Sequence, residues 1–90
     1  MAGSQLEIDT NTILDNIDAE LVEFTAEVDG DDYEFAVQYD LLEALSGDRP
    51  DGDGADMLNR FIDQVSDAAL SALSRNSDAV PIVVSEADLE

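Results

Sequence analysis

Between Glu20 and Tyr39 the chain reads "ELVEFTAEVDGDDYEFAVQY", and this stretch constrains the fold more than any other. Val22, Phe24, Ala26 and Val28 alternate with Glu23, Thr25 and Glu27, the period of a strand with one buried face and one acidic, solvated face. A turn segment, "DGDD", follows, in which Gly30 tolerates positive φ. Tyr33, Phe35, Val37 and Tyr39 then repeat the same period. Two such runs joined by so short a turn predict an antiparallel hairpin.

The rest of the chain is read around that hairpin. "DLLEALSG" predicts a short helix, with Asp40 capping its first turn, Glu43 completing a capping box and Gly47 stopping it. The loop "DRPDGDGAD" forbids regular structure through Pro50 and its two glycines. A longer helix is expected from about Asp56 to Arg75, with Leu58, Phe61, Ile62, Val65, Ala69 and Leu73 as its apolar stripe. Asp63, Asp67 and Ser74 face outward on it, and Arg75 sits at its negative dipole end. "VPIVVS" reads as a closing strand and "EADLE" as an acidic tail. Upstream, Leu6 and Ile8 alternate as in a short strand, whereas Ile13, Leu14 and Ile17 have helical spacing. Residues 1–19 are therefore expected to be a less regular segment with a helical turn. The expected fold is a single α+β domain over residues 1–90. In it, an antiparallel hairpin and a closing strand form a small sheet, with one short and one long helix packed on one face.

The segments "VEFTAEVDG", "VQYDLLEALSG", "LNRFIDQVSDAALSAL" and "PIVVSEADL" carry a likeness. In this line-up over residues 20–90 the chain resembles a family of small bacterial proteins known only as a domain of unknown function. In that family a strand ends near an exposed turn, a short helix and an amphipathic helix follow, and a closing strand ends in an acidic residue. The resemblance implies an α+β fold and brings no established activity. The chain departs from the family in its excess of acid.

That excess decides which functions remain. Fifteen Asp and eight Glu face three arginines, with no lysine and no histidine, giving a net charge of −20 on 90 residues. An ordinary small domain carries a net charge of roughly 2–8 in magnitude. Self-repulsion opposes the compact state, so the imbalance needs a reason. A basic partner, a high-salt cytoplasm and simple acidic drift are the three readings, with the partner placed first. Nucleic acid and membrane surfaces are themselves anionic, which argues against direct binding to either. No apolar run approaches the ~20 residues of a membrane helix, and the N-terminus lacks signal-peptide character. A soluble, cytoplasmic protein is the expectation.

Catalytic and metal chemistry fare poorly in the same composition. Without His, Cys or Lys the usual nucleophile–base pairs cannot be assembled, and no phosphate-cradling glycine motif is present. Counted as a calcium loop from Asp51, "DRPDGDGAD" supplies Asp53 at position three but Ala55 at position five and Asp56 where the glycine belongs. Position twelve is Ile62, on the apolar stripe. The expectation is no enzyme activity, no metal and no cofactor.

The acidic surface is thus the candidate functional element. Asp29, Asp31, Asp32 and Glu34 at the hairpin turn, Asp48, Asp51, Asp53 and Asp56 in the loop, and Asp63 and Asp67 on the long helix are the expected partner-binding residues. In size, charge and lack of catalytic groups the chain resembles acidic DNA-mimic inhibitors. The expected partner is a basic nucleic-acid-binding protein or complex. A homodimer is left open.

Overall fold

The structure is a computed structural model and describes residues 6–75 and 78–89. Four strands and three helices follow one another: β1 (Leu6–Asn16), β2 (Leu21–Val28), β3 (Asp31–Gln38), α1 (Tyr39–Ser46), α2 (Gly54–Arg60), α3 (Ile62–Arg75) and β4 (Ile82–Val84). A 3₁₀ turn, Glu86–Leu89, closes the chain. The sheet runs β1-β2-β3-β4, antiparallel except for the β3–β4 pair, which is parallel. Parallel neighbours need a long crossover, and the three helices supply it.

The α+β class, the hairpin and the helices on one face stand as the alternation implied. Val22, Phe24, Ala26 and Val28 from β2, Phe35 and Val37 from β3, and Ile82 and Val84 from β4 are all buried. All but Val28 meet Leu41, Leu42, Leu58, Val65, Ala68, Ala69 and Ala72 of the helices in one core. The Phe24 and Phe35 rings stack across the hairpin with centroids 5.3 Å apart. Asp29 and Gly30 both have positive φ, 55° and 90°, the signature of the two-residue turn whose twist matches antiparallel strands.

The N-terminal segment departs from the sequence reading. In place of a helical turn, residues 10–16 continue β1, eleven residues long. The ladder slips between Asp9 and Leu14: five steps along β1 match two along β2, from Thr25 to Glu23. The extra residues form a bulge closed by the Thr12 hydroxyl, which donates to the Asp9 carbonyl at 2.7 Å and accepts the Thr25 N–H at 2.9 Å. The bulge inverts the alternation. Leu6 and Ile8 lie opposite Val28 and Ala26, but beyond it Asp15 lies opposite Val22 and Leu14 opposite Glu23. That inversion produced the spacing that looked helical.

Two further details differ. The long helix is two, α2 and α3, with the backbone departing at Phe61 (φ −112°, ψ 34°) although Phe61 N–H→Met57 C=O and Val65 N–H→Phe61 C=O bonds persist on either side. Helix α1 is capped at Gln38 without a side-chain bond, and Asp40 and Glu43 instead accept bonds from Arg49. Gly47 does end α1, in the left-handed conformation, its N–H donating to the Glu43 carbonyl at 2.8 Å.

The segment expected as an acidic tail folds back as the 3₁₀ turn, with Glu90 outside the described residues. Its Asp88 side chain is only 1% exposed and accepts bonds from the Arg75 guanidinium and from Ser85 N–H at 3.0 Å. Arg75 therefore serves this carboxylate at the end of α3. Arg75→Ala leaves a buried carboxylate with one donor and is expected to lower stability by about 2–3 kcal/mol, read as a lowered urea midpoint. Arg75→Ala/Asp88→Ala is expected to lose less than Arg75→Ala alone.

Candidate acidic interface

The alternation that buries one side of the sheet aims its acids at the other. On the helix-free side Glu7 of β1, Glu27 of β2 and Asp32 of β3 stand directly opposite one another, a row of three carboxylates across three strands. The next row is Asp9, Thr25 and Glu34. A third row runs Leu14, Glu23, Ala36 and Val83. Six carboxylates thus share one face, with neighbouring strands about 4.8 Å apart. Like charges directly opposite on a sheet repel.

All three arginines are engaged away from this face. Arg49 bridges Glu20 at 2.7 Å, Asp40 at 2.9 Å and Glu43 at 3.1 Å. Arg60 pairs with Asp56 at 3.2 Å one helical turn away, and Arg75 with Asp88. Two of the shallow depressions on the sheet face lie within its carboxylate rows. One, of about 400 Å³, lies among Glu7, Asp9, Thr25, Glu27 and Asp32. The other, of about 220 Å³, lies among Thr12, Leu14, Glu23, Thr25, Glu34 and Pro81. Leu14 and Val83, 59% and 45% exposed, give this second end an apolar border.

Of the ten residues singled out from sequence, the structure brings Asp32 and Glu34 onto this face. Asp29 lies in the turn itself, and Asp31 opposite Val28 on the helix side of the register. Asp48, Asp51, Asp53 and Asp56 sit at the other end of β2, whose eight residues put about 25 Å between the two groups. In that loop the Asp53 carboxylate accepts the Asp51 N–H at 2.9 Å. Asp63 and Asp67 are exposed on α3. Glu7 and Asp9 were missed because the short strand read at Leu6 and Ile8 was not paired with β2, the partner that puts them on this face. Glu23 and Glu27 had been placed on the outer face, and only the pairing of three strands shows that they join a larger array. Among the described residues no group of three or more acidic side chains is placed to hold a metal ion.

A second carboxylate cluster also escaped the sequence reading. The bulge turns Asp15 inward, where its Oδ1 accepts the Tyr39 hydroxyl and its Oδ2 accepts Gly54 N–H at 3.0 Å. A Cβ on Gly54 would come within 2.8 Å of Asp15 Oδ1 and of Val22 Cγ2, so only glycine allows α2 to start this close to the sheet. The Arg49 guanidinium covers the Tyr39 ring at 5.8 Å. Burial first, then the bond to Asp15 and the negative charge of Asp15 and Glu20, push the Tyr39 hydroxyl up to about 12. A phenol held that high stays protonated at neutral pH, so it tethers β1 to α1 rather than acting as a base.

No protein-family model matches the chain, and no curated protein matches it. Among solved structures it is similar to a protein of unknown function from the DUF1488 family of Shewanella loihica PV-4, with a TM-score of 0.69 over 94% of each chain at 11% identity. That likeness is one of fold, and it agrees with the expected resemblance to a small α+β domain of unknown function. The compositional likeness to DNA-mimic inhibitors receives no support from these comparisons. Among the described residues no helix is long and apolar enough to cross a membrane.

Two outcomes follow from these clusters. Raising NaCl to 1 M shortens the screening length to about 3 Å, below the strand spacing, and is expected to raise the melting temperature. Glu27→Gln, at the centre of the three-carboxylate row, is expected to raise it at low salt and flatten that salt dependence. The folded Tyr39 pKa lies above its unfolded value near 10. Its contribution is therefore complete below pH 10 and lost as pH rises from about 10 to 12. Urea midpoints across that window should fall for the native chain and fall less for Tyr39→Phe.

Proposed function

We propose that this chain is a non-enzymatic acidic binding protein whose helix-free sheet face occupies the basic groove of a nucleic-acid-binding protein or complex. The single observation behind the reading is the six-carboxylate face combined with three arginines all engaged elsewhere. From Glu27 to Glu23, β2 spans about 14 Å, and duplex DNA of that length presents about eight charges. Six carboxylates in a comparable span make a field of similar sign and density. A rigid sheet holds them without the entropy cost of ordering a loop, and complementary charge accelerates encounter with a basic groove. The absence of His, Cys and Lys supports a role in binding rather than catalysis.

Acids outside the face, Asp51, Asp63 and Asp67 among them, favour a second reading. In it the chain is a bacterial housekeeping domain of unknown function whose acidity is background or salt adaptation.

The test is capture of basic proteins from nuclease-treated bacterial lysate on the immobilised protein, followed by competition of the retained protein with duplex DNA. Expected is one nucleic-acid-binding protein retained in stoichiometric amount and displaced by DNA. Its affinity should fall at least 100-fold with Glu27→Lys/Asp32→Lys/Glu34→Lys and stay nearly unchanged with Asp51→Asn/Asp53→Asn/Asp56→Asn. A smear of basic proteins leaving together at low salt, or equal losses from both variants, would overturn mimicry and establish the second reading.

A further inference from the structure

A cavity of about 420 Å³ opens where the hairpin turn meets the C-terminal end of α3. Its lining combines Val28, Tyr33, Leu70 and Leu73 with Asp29, Asp31 and Ser74. Val28 is buried, and Tyr33, Leu70 and Leu73 are half-buried, so the floor is apolar; Asp29, Asp31 and Ser74 are exposed and form the rim. The volume falls within the ~300–1,000 Å³ of ordinary ligand pockets.

Two independent sources make this rim negative. Asp31, exposed on the rim, supplies a carboxylate. Leu73 and Ser74 belong to the last turn of a 14-residue helix, the end that carries the negative pole of its dipole. Arg75, the basic residue of that turn, directs its guanidinium to Asp88 instead. An apolar floor under an anionic rim matches a cation on an alkyl stem, the chemistry of lysine and arginine, which bury the stem and keep the head in water.

The cavity adjoins the acidic face. Asp31 stands opposite Val28 on the helix side, and its neighbour Asp32 stands opposite Glu27 on the outer side. A partner lying along the sheet face reaches the cavity by extending one side chain around the turn. We infer that this cavity is the docking pocket for a single arginine or lysine side chain of the basic partner. The inference rests on the proposed function for the nature of the partner, but its test does not require that partner.

The experiment titrates the full chain with a capped Gly-Arg-Gly-Arg-Gly peptide and with a counterpart whose arginines are replaced by 2-amino-3-guanidinopropionate, which keeps the guanidinium charge on a stem of one methylene. Methyl resonances of Val28, Leu70 and Leu73 report the cavity. Expected are saturable shifts of those methyls with the arginine peptide and at least fivefold weaker binding of the short-stemmed one. Ser74→Phe fills the mouth without changing charge, so it should abolish that preference while leaving the short-stemmed peptide's affinity unchanged. Equal affinities for the two peptides, or cavity methyls that do not shift, would overturn the inference. So would N-butylguanidinium binding as tightly as the peptide, which would make this a small-molecule site. Loss of DNA competition with the stem preference intact would overturn the proposed function alone.

Discussion

Three guanidinium groups must serve twenty-three carboxylates, and where they are placed organises this molecule. Two of them close junctions on the helix side. Arg49 gathers Glu20, Asp40 and Glu43, tying the β1–β2 connection to α1, while Arg75 holds the buried Asp88 and so pins the C-terminal turn to α3. Arg60 links one turn of α2 to itself. These placements leave the sheet's open side with carboxylates facing carboxylates. The core under that side, built on Phe24, Phe35, Leu41, Leu42 and Leu58, must therefore offset repulsion as well as chain entropy.

The hairpin, the end of α1 and half of the apolar helix stripe (Leu58, Val65 and Ala69) were legible because each follows from local rules. Period-two alternation, a glycine in the left-handed region and a 3.6-residue stripe do not depend on distant partners. What escaped was decided non-locally. The bulge in β1 is invisible in a pattern search because its closing bond, Thr12 to Thr25, spans thirteen residues. Asp15 looked like one more surface acid until the inversion turned it toward Tyr39 and Gly54. The closing strand was recognised, but its parallel direction depends on how the helices return the chain to β3. Asp40 and Glu43 matched a capping box, yet the Arg49 guanidinium outcompeted the backbone for them.

The candidate site was half legible for a related reason. Sequence shows which acids point outward but not which strands lie side by side. Asp29 to Glu34 and Asp48 to Asp56 looked equivalent as acidic runs, yet a full strand length separates them, and their members divide among turn, sheet face, loop and helix. The face that does form draws on three strands, two of its acids coming from the one whose extent was underestimated.

The sheet's two edges have a consequence of their own. An uncovered strand normally offers its backbone to a second chain and invites fibrils. Here the outer strand at one edge, β1, is broken by its bulge, and the strand at the other, β4, is only three residues long. Neither edge presents a long straight template, and at neutral pH the stacked carboxylates repel any copy approaching face to face. Acidification removes the repulsion but leaves the edges as they are. The chain thus carries two separate guards against self-assembly, one set by backbone shape and one by protonation, and losing the second does not remove the first.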